Sequence, residues 1–165
     1  MSVYPFLGKD FFDALQGCGA VNPKTGWQPC HLEADGGWMP LYARSHSRGE
    51  YVFDYSWAEA YHRHGLAYYP KLVTSIPFTP VTGPRWRGDL SASSLWSGVK
   101  DRMAEHQASG WHLLFPDAAA REQLQELPLV SRQACHFRWL NRDYRDFEDF
   151  LGQFQSRKRK NLRKE

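Results

Sequence analysis

The sequence predicts one α+β domain, a mixed β-sheet with helices packed against it. Three stretches carry that prediction: a hairpin pattern over residues 28–45, an apolar strand over 67–75, and a helix with a short apolar strand over 91–115. Helices and strands interleaved in this order suit a layered sheet. A chain of 165 residues can bury one good core and not two.

In order, Phe6 to Gly17 reads as a short helix with Phe11, Phe12 and Leu15 on one face and Gly17 and Gly19 at its end. Asn22 to Gly26 is turn material. Gln28 to Glu33 and Trp38 to Ser45 form a hairpin across an Ala34–Gly37 turn. A helix begins near Asp54 or Ser56, either of which could cap it, and stops at Gly65. Ala67 to Ser75 is a strand in which Pro70 argues against full laddering.

Ser91 to Ser109 is the longest helix, with Leu95, Val99 and Met103 spaced by four and Gly98 costing some stability. Trp111 to Phe115 reads as a buried strand. Pro116 to Leu127 reads as a helix, Leu129 to Leu140 as a strand alternating through Cys135, Phe137 and Trp139, and Asp146 to Phe154 as an amphipathic helix.

Charge is distributed unevenly. The formal net charge is +3, yet six of the 21 basic residues fall between Ser156 and Glu165 against one acid, which leaves the first 155 residues at −2. A broad nucleic-acid face is not indicated, while a local phosphate or headgroup contact by the tail is open. Cys18, Cys30 and Cys135 have no metal-site spacing and an odd count, which fits a reducing compartment. No signal peptide or membrane span is visible. The expectation is a cytoplasmic protein, with a peripheral contact to the inner membrane face left open.

Two groups carry chemistry. In Pro77 to Arg87, Gly83 permits close backbone approach, Thr79 and Thr82 offer hydroxyls, and Arg85 suits a phosphate or carboxylate. Pro80 and Pro84 remove two amide donors, so this is not a P-loop nest. A ligand site and a purely structural turn both satisfy these residues. His46, Glu50 and Asp54, with Tyr51, group potential acid–base side chains before a helix; a glutamate pairing with Arg48 and a capping Asp54 are the plainer reading. His62 and His64, two apart on a helix, make a poor metal pair, and no metal site is expected.

Several blocks resemble the bacterial FemAB-like family of peptidoglycan biosynthesis or recognition proteins. They are Thr25–Trp27, His31–Leu32, Pro40–Tyr42, Ser45–Tyr61, Tyr68–Leu72, Pro77–Arg85, Phe137–Leu151 and Ser156–Glu165. The resemblance implies a GNAT-like fold, that of the acyl-CoA N-acyltransferases. It also implies acyl or aminoacyl transfer to an amine, with acyl-CoA or aminoacyl-tRNA as donor and a peptidoglycan precursor as acceptor.

By position, Thr79, Thr82, Gly83 and Arg85 would hold the donor, and Glu50, Asp54 or His46 would take the proton. The usual glycine-rich signature of the superfamily is absent, which speaks against coenzyme A itself. Further expectations are an N-terminal module over 1–155 and a basic 156–165 segment leading into a second module. Self-association, or a missing C-terminal half, would then cover the Phe147/Phe150/Phe154 face. The alternative is a non-catalytic module that recognises a cell-wall precursor or another partner.

Overall fold

The hairpin expected over residues 28–45 is present, but it is cut in the middle. In the computed structural model, which describes residues 4–133, 135, 137 and 139–164, strand β1 (Trp27–Pro29) pairs antiparallel with β4 (Tyr42–Arg44), and β2 (Leu32–Ala34) with β3 (Gly37–Met39). Both pairings share one register. The break has a chemical cause: Pro40 has no N–H, and the Leu41 N–H donates to His31 Nδ1 at 3.2 Å rather than to a strand carbonyl. Asp35 and Gly36, both at positive φ, make the two-residue turn.

The sheet continues through β5 (Lys71–Thr74), antiparallel to β4, and β6 (Trp111–Leu113), parallel to β5, in the order β1-β4-β5-β6. Strand β5 starts directly after Pro70, where the ladder can first use every N–H. Strand β6 is half-buried rather than buried throughout, because it ends the sheet with a partner on one side only. The architecture is a mixed α+β fold with a central sheet flanked by helices.

The described residues fall into two compact units, Met1–Leu129 and Val130–Glu165. In the first, helix α1 (Lys9–Gly17), preceded by a 3-10 turn at Pro5–Leu7, lays Phe12 on one face of the sheet beside Trp27, Tyr42 and Ile76. Helix α2 (Tyr55–Arg63) buries none of its residues. On the opposite face, helix α3 (Ala92–Glu105), capped by Ser91 Oγ, packs Leu95 and Val99 against Leu72, Ala43 and the hairpin's Leu32, Met39 and Leu41. The glycine that costs α3 propensity has a packing reason, since a Cβ on Gly98 would overlap Leu32. Helix α4 (Ala118–Gln123) is shorter than its pattern suggests and is capped by Asp117.

In the second unit, α5 (Phe147–Gly152), capped by Asp146, carries Phe150 against the rings of Trp139, Tyr144 and Phe154. Helix α6 (Ser156–Leu162) follows, and Glu148 pairs with Arg163. The strand expected over 129–140 includes Ala134, His136 and Arg138, which lie outside the described residues.

The hairpin and the chain entering α3 cross at close range. Trp38 and Arg87 exchange backbone hydrogen bonds of 2.8 and 2.9 Å. A Cβ on Gly37 would sit 2.5 Å from Leu90 Cγ and 2.9 Å from the Asp89 carbonyl oxygen. Backbone cannot move aside as a side-chain tip can, so Gly37→Ala is expected to destabilise the protein by about 1–3 kcal/mol. Gly110→Ala, with nothing within 4 Å of the new methyl, should stay within about 0.5 kcal/mol. Thermal melts of the two variants decide; equal melting temperatures would refute the crossing constraint.

Candidate functional site

Arg44 and Lys71 stand opposite each other on neighbouring strands, facing the same side of the sheet. Both side chains are fully buried. Their partners come from the segment that follows the hairpin. Arg44 Nε donates to Glu50 at 3.1 Å, and Lys71 Nζ donates to Glu50 at 2.8 Å and also to Asp54. Tyr68 donates to Asp54 at 2.7 Å. The remaining guanidinium donors of Arg44 reach the Gly26 and Arg48 carbonyls, and its Cζ lies 3.4 Å from the centre of the Trp27 ring. Two cations and two carboxylates cancel, which makes burial of all four tolerable; removing one partner strands a charge in a low dielectric.

This geometry relocates two expected roles. Glu50 pairs with Arg44 and Lys71 rather than Arg48. Asp54 occupies the N-cap position of α2, but its carboxylate makes no cap bond. Burial pushes the Asp54 carboxyl up, yet the hydrogen bonds from Lys71 and Tyr68 outweigh it and hold it below its ordinary range. His46, by contrast, is half-buried. Its Nδ1 accepts from the Arg48 N–H at 3.3 Å, and its pKa is lowered by burial and then by Arg44 and Arg48, leaving a neutral imidazole at pH 7.

The Pro77–Arg87 loop is held from inside. Arg85 is fully buried and donates to the carbonyls of Leu114 at 2.6 Å, Pro84 at 2.8 Å and Val81. Gly83 pairs with Pro116 at the end of β6, and the close approach it permits is to the Tyr4 ring, 2.6 Å from where a Cβ would stand. Thr79 is half-buried, donating to the Pro77 carbonyl at 3.0 Å, and Thr82 is exposed. The loop meets the Glu50 segment at one place: Phe78 N–H donates to the Gly49 carbonyl at 3.3 Å, and a Cβ on Gly49 would overlap the Phe78 ring. The structure therefore joins the two predicted segments through Gly49 and Phe78, while the Arg85 and Glu50 side chains are committed elsewhere. A shallow depression of about 390 Å³ beside Trp86, Asp89 and Ser91 contains none of the predicted site residues.

Sequence reasoning missed Arg44, Lys71 and Tyr68. The available signal was a lysine inside the otherwise uncharged run YYPKLVTSI, and an arginine two residues from Tyr42 on the inward side of the hairpin. A charge at a buried strand position asks for a partner.

Lys71→Met is expected to cost about 3–5 kcal/mol, since two buried carboxylates would then face one cation. Lys71→Met/Asp54→Leu, losing one charge of each sign, should regain much of that. The pH dependence should change sign with the single variant. In the wild type, Asp54 lies below its ordinary 3.8, so its stabilisation is complete above that value and is lost as the pH falls through the depressed pKa. Without Lys71, burial raises the Asp54 carboxyl, and stability should rise as the pH drops from about 7 toward about 5. Urea midpoints across that range test both; parallel profiles for variant and wild type would refute the coupling. Arg85→Lys keeps the charge but cannot span three carbonyls, so a loss of about 2–4 kcal/mol is expected. An unchanged melting temperature would show that the carbonyls do not need the fork.

Compared with known proteins, the chain finds no match among the curated proteins and none among the solved structures. The family described as peptidoglycan biosynthesis/recognition matches residues 1–165. The chain belongs to the FemAB-like family.

Proposed function

We propose that the chain is an acyl- or aminoacyl-transferring module of GNAT-like architecture, which moves an activated acyl group onto an amine of a peptidoglycan precursor. One observation carries this reading beyond family membership. Strands β5 and β6 are parallel, and the Pro77–Arg87 loop that leaves β5 lies at the carboxyl end of β6, where Gly83 pairs with Pro116. Ligands of open sheets with parallel strands collect outside the carboxyl ends of those strands. The resemblance to the N-acyltransferases implies that the donor's phosphate lies against this loop.

In this reading Arg85 and Gly83 set the backbone of the loop, and the hydroxyls of Thr79 and Thr82 meet the donor. The donor is an aminoacyl-tRNA ester or an acyl-CoA thioester. The amine lone pair attacks the carbonyl carbon, a C–N bond forms, and the C–O or C–S bond breaks as its electron pair leaves with the carrier. The proton shed by the attacking nitrogen goes to a base; His46, neutral at pH 7, takes it on Nδ1 only once the Arg48 N–H has released that lone pair. Glu50 and Asp54, buried and ion-paired, would act by holding the His46 segment and α2 in place. Their burial also favours a second reading, a recognition module that binds the precursor without transferring anything.

The test is amide formation by the full chain, with a muramyl-peptide amine as acceptor and charged tRNA or acyl-CoA as donor. Thr82→Ala is expected to raise the KM for the donor about tenfold, the value of one hydrogen bond to a charged group. His46→Gln should lower kcat with KM little changed. Precursor binding with no transfer from either donor would replace this reading with the recognition module.

A further inference from the structure

The buried ion cluster has an outward consequence. Between Glu50 and Asp54, and just beyond, the chain presents Tyr51, Phe53, Tyr55 and Trp57 to solvent, with Phe53 78% and Tyr55 60% exposed. Phe53 and Tyr55 lie together, 6.4 Å between ring centres. Exposure of large aromatics side by side is unusual for a soluble surface and marks an interaction site. The rings stand on a rigid base. Glu50 and Asp54 bracket Tyr51 and Phe53 and are fixed to Arg44 and Lys71, and Tyr51 holds a left-handed backbone at φ 58°.

Folding also changes the sign of the local charge. Residues 45–66 carry three acids, Glu50, Asp54 and Glu59, against two arginines, Arg48 and Arg63. Two of the acids are buried and neutralised from the strands below, so the surface keeps Arg48 together with an exposed Arg63–Glu59 ion pair of 3.9 Å, a surplus of one positive charge. Exposed Phe, Tyr and Trp on a segment whose surface charge is net positive complement the boundary of an anionic bilayer, where amphipathic rings sit at headgroup level. No helix among the described residues is long and apolar enough to cross a membrane, so such contact is interfacial.

We propose that the aromatic segment Tyr51–Trp57, held by the buried Arg44–Glu50–Lys71–Asp54 cluster and flanked along the chain by Arg48 and Arg63, docks the protein on an anionic lipid surface. Phe53 and Tyr55 enter the headgroup boundary, and the arginines meet lipid phosphates. This inference does not rest on the transfer reaction, and its test reads no turnover.

The experiment is co-sedimentation of the full chain with vesicles of phosphatidylcholine alone or mixed with phosphatidylglycerol. Wild-type protein should pellet with the anionic vesicles and not with the neutral ones, and less so as salt is raised. Phe53→Ser and Tyr55→Ser should each lower partitioning about tenfold, the effect of withholding one ring from the apolar phase. Arg48→Glu should weaken the preference for phosphatidylglycerol. Val130→Ser, also at an exposed apolar position, should bind as wild type does, and matched melting temperatures would show that the exposed-site variants are folded. Wild-type protein left in the supernatant at saturating lipid would overturn the proposal, as would ring variants that pellet undiminished. A lipid-independent dimer lost in Phe53→Ser would overturn it in favour of a second copy of the chain as occupant.

Discussion

Four buried charges organise the first unit of this protein. Arg44 and Lys71 belong to neighbouring strands, Glu50 and Asp54 to the irregular segment leading into α2, and none of these side chains could be buried alone. The cluster ties a strand pair to a stretch of backbone that has little apolar anchorage of its own, since α2 buries none of its residues. Hydrophobic contacts are nondirectional and tolerate sliding. Charge-assisted hydrogen bonds to two carboxylates do not, so the segment from Ser47 to Tyr55 is set in one position.

The Pro77–Arg87 loop follows the same logic with backbone in place of carboxylates. Its arginine is turned inward and its N–H groups donate to three carbonyl oxygens, in a loop where Pro80 and Pro84 bring no amide donor of their own. A loop stiffened this way presents its outer hydroxyls without reordering, which lowers the entropic cost of holding a ligand. Because Phe78 N–H is bonded to the Gly49 carbonyl, the two inward-braced segments share an edge.

Much of the fold was legible because its signals are local. The Asp35–Gly36 turn, the start of α3 after Ser91 and the spacing of Leu95 and Val99 each depend on residues within one or two turns. Pro40 was visible as well, yet its effect was not, because the break also needs His31 to take the Leu41 N–H from across the hairpin. The site was less legible for a related reason. Glu50 and Asp54 stood out as carboxylates, but whether a carboxylate is a free base or half of a buried pair depends on Lys71, which lies 21 and 17 positions away. Arg85 stood out as an anion contact, and its direction was decided by carbonyls of Leu114 and Val81 that no motif encodes.

The His31–Leu41 bond makes one backbone hydrogen bond of the hairpin a titratable one. Nδ1 accepts from an amide, so the ring must carry its proton on Nε2, which is buried with no partner among the described residues. A second proton would set a donor against a donor. Burial already lowers the His31 pKa from 6.5, so the unfolded chain takes up a proton first as the medium acidifies. The hairpin's contribution is whole above that value and declines as the pH falls below it toward the lowered pKa of the folded ring. The hairpin thus carries a proton-dependent stitch at its midpoint, where Pro40 interrupts the ladder between its two paired segments.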